Sequence, residues 1–202
     1  WESRFDTIQL ADTNLRAIVE KRLLKPKTEE SRAQLRSAFE EVANRAGSAL
    51  DTLTTTEADK EAFRRVYPFS PALIDTLVAV SAYLQRERTA LRLLAQLLSE
   101  KAASLQVGDL VPIGDLYDVI RDGEEPFSDQ LKKHFQNARN LYDHKLRPLL
   151  LHEHGLPPET ALEELPNQHP ARMGDRLLKT LLLASLVPDV GPLKGLTVRR
   201  LA

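Results

Sequence analysis

The sequence predicts a mainly α fold, on three observations. Apolar residues recur at spacings of three and four along most of the chain, which is the pattern of amphipathic helices. Strand-like alternation is confined to the first residues. No internal repeat of solenoid length is present.

The elements follow in order. After Phe5, residues Thr7 to Leu10 alternate polar and apolar as one short strand, and Asp12 offers a side-chain oxygen to cap a helix. Leu15, Ile18, Val19 and Leu23 share one face of that helix, which Pro26 ends. A second helix from Glu29 to about Leu50 carries Leu35, Phe39, Val42, Ala46 and Leu50, and Asp51 to Thr56 reads as a loop. A short helix over Ala58 to Val66 leads into Tyr67-Pro68-Phe69-Ser70-Pro71, where Ser70 as cap and Pro71 as first helical residue mark a sharp start. The apolar stripe is then Leu73, Ile74, Leu77, Val78 and Leu84, continued by Leu91, Leu94, Ala95 and Leu98.

Gly108 to Gly114 reads as a subdomain boundary. A short helix over Ile113 to Ile120 and the Asp122-Gly123-Glu124-Glu125-Pro126 turn precede a long helix with Phe127, Leu131, Phe135, Ala138, Leu141 and Leu149 on its apolar side. Gly155 to Pro170 is a proline-rich connector with room for one helical turn at Ala161 to Leu165. A last helix, Ala171 to Leu186, is followed by Pro188, Gly191, Pro192 and Gly195.

Composition narrows the class of function. The chain opens on Trp1 and its single methionine is Met173, so it is expected to be a piece of a longer protein. The first thirty residues, interrupted by Asp6, Asp12, Arg16, Glu20 and Lys21, do not form a secretory signal, and no run approaches the ~18 apolar residues of a membrane span. Cysteine is absent, which removes disulfides and thiolate metal sites and fits a cytoplasmic location. The 28 basic and 29 acidic residues cancel across the chain. Locally, the end is basic: Arg176, Lys179, Lys194, Arg199 and Arg200 outnumber Asp175 and Asp189.

Catalytic and metal motifs are sparse. His152 and His154 are two residues apart, which on a helix points them about 200° apart, and His152-Glu153-His154 is not the His-Glu-x-x-His pattern, so no metal site is expected. No Gly-x-Ser-x-Gly elbow occurs, which argues against a serine hydrolase. A phosphate loop ending in Gly-Lys-Ser or Gly-Lys-Thr is also missing.

Ser3-Arg4-Phe5-Asp6, placed before the short strand and the capped helix, resembles the arginine-finger segment that closes the core of AAA+ ATPases. The resemblance implies that Arg4 reaches a neighbouring subunit's γ-phosphate. Arg86-Glu87-Arg88-Thr89-Ala90-Leu91-Arg92-Leu93-Leu94 resembles the sensor-2 segment of related ATPase lids, with Arg88 at the matching place and Arg86 and Arg92 as alternates. A wider resemblance covers most of the chain. The stretches Arg4 to Lys27, Tyr67 to Pro71 with the following helix, Gln85 to Leu94, Lys179 to Pro188 and Leu193 to Ala202 are similar to large P-loop ATPases of bacterial phage defence, of the phage growth limitation and BREX type.

That resemblance implies an organisation and a role. Residues 1–11 would be the end of an AAA+ core, residues 12–107 a helical lid, and residues 108–202 a second helical, winged-helix-like region. ATP and magnesium would be bound by the longer parent, and this piece alone would hold neither tightly nor hydrolyse ATP. Partners would be neighbouring ATPase subunits or other defence proteins, with no membrane. DNA is a candidate through Arg199 and Arg200, if the tail begins a winged helix. The alternative is a helical DNA-binding or protein-docking module in which all these arginines are solvated surface charge.

Overall fold

In the computed structural model, which describes residues 17–45, 57–81, 89–122, 129–186 and 193–196, every extended element is helical. The strand expected at Thr7 to Leu10, the Asp12 cap and the loop at Asp51 to Thr56 lie outside the described residues. A π-helical turn, Val19–Leu23, comes first. It is followed by α1 (Glu29–Arg45), α2 (Glu57–Val66), α3 (Pro71–Ser81) and α4 (Thr89–Lys101). Next are α5 (Gly114–Asp122) and α6 (Asp129–Leu141), which runs through a π-helical segment, Tyr142–Leu146, into α7 (Arg147–Glu153). A 3₁₀ turn, Leu162–Glu164, interrupts the connector before α8 (Pro170–Leu186). None of the described helices is long and apolar enough to cross a membrane.

Local chemistry sets the ends of these helices. Ser70 Oγ accepts from the Leu73 amide at 3.1 Å with Pro71 in the first helical position, and Thr28 Oγ1 accepts from the Ser31 amide at 3.0 Å to start α1. Each such cap typically contributes about 1 kcal/mol. At the end of α7, Gly155 adopts φ +62°, its amide bonds to the His152 carbonyl and the Leu156 amide to the Leu151 carbonyl. This is a Schellman closure, which favours glycine because the left-handed conformation is unstrained without a Cβ.

Two apolar faces differ from the sequence expectation. On α4 the buried residues are Ala90, Leu93, Leu94 and Leu97, while Leu91 and Leu98 are half-buried and Ala95 is exposed. The whole stripe is rotated by one residue, because α4 meets both α3 and α5. On the long helix, Leu141 and Leu149 are exposed, and the buried positions become Tyr142, Leu150 and Leu151. The π-helical segment explains the change beyond Tyr142: a wider turn holds an extra residue, so every later side chain is carried one position round the axis.

A single apolar core runs from Val19 through Leu73, Leu94, Leu116 and Tyr117 to Leu183 and Leu193. It continues across residues 108–114, where Val111 is buried and forms a lone parallel bridge with Phe69. The Val111 amide donates to the Pro68 carbonyl at 2.9 Å. Two satellite clusters flank this core. Phe39 meets Phe63 and Tyr67 edge-on, at 5.2 and 5.9 Å between ring centroids, and Leu150, Leu151, Leu162 and Ala171 tie α7 to α8.

Gly114, the first residue of α5, packs directly against the backbone of α8. A Cβ there would overlap the Arg176 carbonyl oxygen and lie 2.9 Å from Arg176 Cα, both backbone atoms that cannot swing aside. Gly114→Ala is therefore expected to destabilise the chain by about 1–3 kcal/mol, despite alanine's better helix propensity. Urea unfolding checks this, and a variant as stable as the wild type would mean that the two helices do not approach so closely.

Candidate functional site

An amphipathic helix buries residues at i, i+3, i+4 and i+7. On α8 those positions include Arg172, Asp175, Arg176 and Lys179, so a charged stripe faces the interior where an apolar one is normal. Lys179 and Asp175 are each only 2% exposed. Facing them, α5 presents Asp115 and Asp118, one helical turn apart, and the chain past α6 presents Tyr142.

The charges form two linked knots. In the first, Lys179 Nζ lies 2.8 Å from Asp118 Oδ2, 2.5 Å from Asp175 Oδ2 and 5.3 Å from the centre of the Tyr142 ring. The Tyr142 hydroxyl donates to Asp175 Oδ1. In the second, Asp115 accepts from Arg176 Nε at 2.9 Å and Arg176 Nη2 at 3.1 Å, and pairs with Lys101 Nζ at 3.1 Å. Asn167 extends this knot by accepting from Arg176 Nη2 and donating to Asp109, both at 3.2 Å. The Arg172 guanidinium donates to the Leu165 carbonyl, which anchors the connector onto α8.

Burial and neighbouring charge decide the protonation states. Burial opposes the Lys179 cation, but the carboxylates of Asp118 and Asp175 outweigh it and hold the ammonium above the usual lysine range. Burial, reinforced by the charge of Asp175, pushes the Tyr142 phenol far above its ordinary value. Burial, with the charge of Asp175, also raises Asp118 against the lowering effect of Lys179, and Asp118 Oδ1 has no hydrogen-bond partner in the described structure. Burial and then Arg176 lower Arg172.

These states limit the chemistry. A lysine held charged between two carboxylates is neither base nor nucleophile at neutral pH, and a phenol held protonated is not a general base. The arrangement instead fixes geometry. Charges in a low-dielectric interior tolerate little displacement, because a carboxylate separated from its cation stays buried and unpaired. The cluster is a lock between α5, α8 and the Tyr142 segment.

Of the residues singled out in the sequence, Arg4, Arg86, Arg88, Arg199 and Arg200 lie outside the described residues. Arg92 is exposed on α4. His152 is exposed in the last turn of α7, and the His154 ring lies edge-on to His169 at 6.3 Å. Among the described residues no group of three or more His, Cys, Asp or Glu is placed to hold a metal ion. One reading needs correction: Arg176 and Lys179, counted towards a basic tail, point inward and are neutralised by Asp115, Asp118 and Asp175. The sequence carries a signal for the lock that net charge hides. Acids at i and i+3 on α5 pair with an Arg, Asp, Arg, Lys stripe at helical spacing on α8.

Two outcomes follow from the lock. Lys179→Met leaves the buried Asp175 and the half-buried Asp118 without their cation and should cost on the order of 3–5 kcal/mol, with much of it recovered when Asp118→Asn and Asp175→Asn are added. Urea unfolding of the single and triple variants measures both, and an unchanged single variant would contradict the lock. The second outcome concerns pH. Lys179 and Tyr142 are raised above their ordinary values of 10.5 and 10.0, so their stabilisation is complete below about pH 10 and is lost as pH rises beyond it. Unfolding between about pH 9 and about pH 11 should show a steeper decline in the wild type than in Tyr142→Phe, and equal slopes would exclude the tyrosine's part.

A family model described as the second domain of the BREX System ATPase PglY protein matches residues 16–202. No solved structure matches the chain.

Proposed function

Because the chain belongs to the family of BREX-system PglY second domains, a phage-defence ATPase-related region, we propose that it is the lid and C-terminal regulatory region of its parent ATPase. It couples nucleotide state to conformational change. The observation that carries this reading is the unbroken core from Val19 to Leu193, closed by the charge lock between α5 and α8. A unit packed this way moves as a body, so a shift imposed at its first helices is delivered at α8.

Nucleotide contact falls to the arginines. Arg88, with Arg86 and Arg92 as alternates, senses the parent's own nucleotide, and Arg4 serves the neighbouring subunit's site. A change of nucleotide shifts the lid only if these contacts differ between two states. ATP and magnesium belong to the parent's phosphate-loop domain, since the chain has no Gly-Lys-Ser or Gly-Lys-Thr. Other defence-system proteins are the natural partners of the coupled surface.

Contact with DNA through Arg199 and Arg200 is a weaker reading. Of the cations that make the tail basic, Arg176 and Lys179 are neutralised inside the fold.

ATP turnover by the full-length parent tests the proposal. Arg4→Ala is expected to lower turnover by about 10³-fold or more, as loss of an arginine finger does, and Arg88→Ala to lower it clearly while the protein remains folded. Unchanged turnover in both variants would make these arginines surface charge and overturn the lid reading.

A further inference from the structure

The π-helical turn at Val19–Leu23, α1 and α2 enclose a cleft of about 680 Å³. Six cations line it, Lys21, Lys25, Arg32, Arg36, Arg64 and Arg65, against two carboxylates, Glu20 and Glu61. Glu61 is committed to Arg64 at 2.7 Å and Arg65 at 3.5 Å, and Arg32 pairs with Glu29 at 3.2 Å. Lys21, Lys25 and Arg36 form no ion pair among the described residues. A chain with a net charge of −1 thus gathers a positive wall in one concave place.

The cleft opens directly into a second, apolar pocket of about 290 Å³, with Leu24, Lys25, Pro26, Leu35 and Tyr67 lining both. Leu23, Leu98, Leu105 and Val107 complete the apolar walls, and Val107 is 67% exposed. Exposed apolar surface rimmed by charge marks a binding groove more often than a solvated face.

We infer that this double pocket binds an acidic peptide segment of a partner protein, anchoring one large aliphatic or aromatic side chain between Leu35 and Val107 and laying carboxylates against Lys21, Lys25 and Arg36. Charge complementarity selects an anion, and the apolar compartment requires that the anion carry a hydrophobic anchor. Nucleic acid fits less well. The aromatic rings at the cleft, Phe39 and Tyr67, are buried edge-on against each other and offer no free face for stacking a base. The inference is independent of the nucleotide role, since it uses none of the arginines assigned to ATP.

The test is a selection of random twelve-residue peptides on the full chain by ribosome display, followed by fluorescence anisotropy of the enriched peptides and of a ten-nucleotide oligothymidylate. Enriched peptides should carry several Asp or Glu residues around one large apolar residue. They should lose at least tenfold in affinity to the Lys25→Glu/Arg36→Glu variant, and a comparable factor when their own apolar residue becomes serine. A second variant, Val107→Asp, exposed enough to leave folding intact, should weaken binding without altering the circular dichroism melt. Enrichment without acidic bias, no enrichment at all, indifference to both variants, or tighter binding of the oligothymidylate would each overturn the inference.

Discussion

Lys179 is held between Asp118 on α5 and Asp175 on its own helix, under the ring of Tyr142, and the arrangement of the other helices depends on that contact. Moving three charged groups out of water is costly, and their attraction repays it only in one geometry. Rotating α8 by one residue, about 100°, would carry Lys179 and Arg176 away from Asp118 and Asp115 together. The apolar residues of α8, Leu182 and Leu183 among them, would tolerate several rotations. The charged stripe selects one. Gly114 is the backbone counterpart of the same constraint, because only a residue without a side chain lets α5 close onto α8 at the Arg176 carbonyl.

Much of the fold was legible in the sequence because helix starts and apolar spacing are local. Ser70 and Pro71 mark the start of α3, the glycine at 155 ends α7, and the connector's single turn lies at Leu162–Glu164 within the expected stretch. What could not be read depends on partners distant in the chain. The stripe on α4 is set by the two helices it touches, so Leu93 and Leu97 are buried where Leu91 and Ala95 were expected on the apolar side. The π-helical segment at Tyr142–Leu146 has no signature in apolar spacing, and it changes the buried set from Leu149 to Leu150 and Leu151.

The lock escaped sequence reading for a different reason. Charges on a helix face are ordinarily solvated, and Asp115, Asp118, Arg176 and Lys179 become recognisable as a buried set only once α5 and α8 are seen together, sixty-one residues apart in each pair. Their cancellation also explains how a tail that is basic by composition loses part of its outward charge. Among the described residues, a positive surface that faces solvent lies elsewhere, in the cleft between α1 and α2, where neither helix is strongly basic.

Membership of the PglY second-domain family joins these features to phage defence. The proposed lid role asks for a body stiff enough to transmit a displacement and for a surface on which that displacement acts. The core and its charge lock fit the first requirement, and the proposed peptide pocket fits the second.

The most direct test of the central claim is native-state hydrogen exchange on the intact chain. If the lock fastens α8 to the rest of the core, amides in α3, α4, α5 and α8 exchange with a common opening free energy, and Asp118→Ala lowers all of them by the same amount. Opening of α8 at a distinctly lower free energy than α3 and α4 in the wild type, with the variant affecting α8 alone, would show that α8 is a separate unit and that the lock does not fasten it to the core.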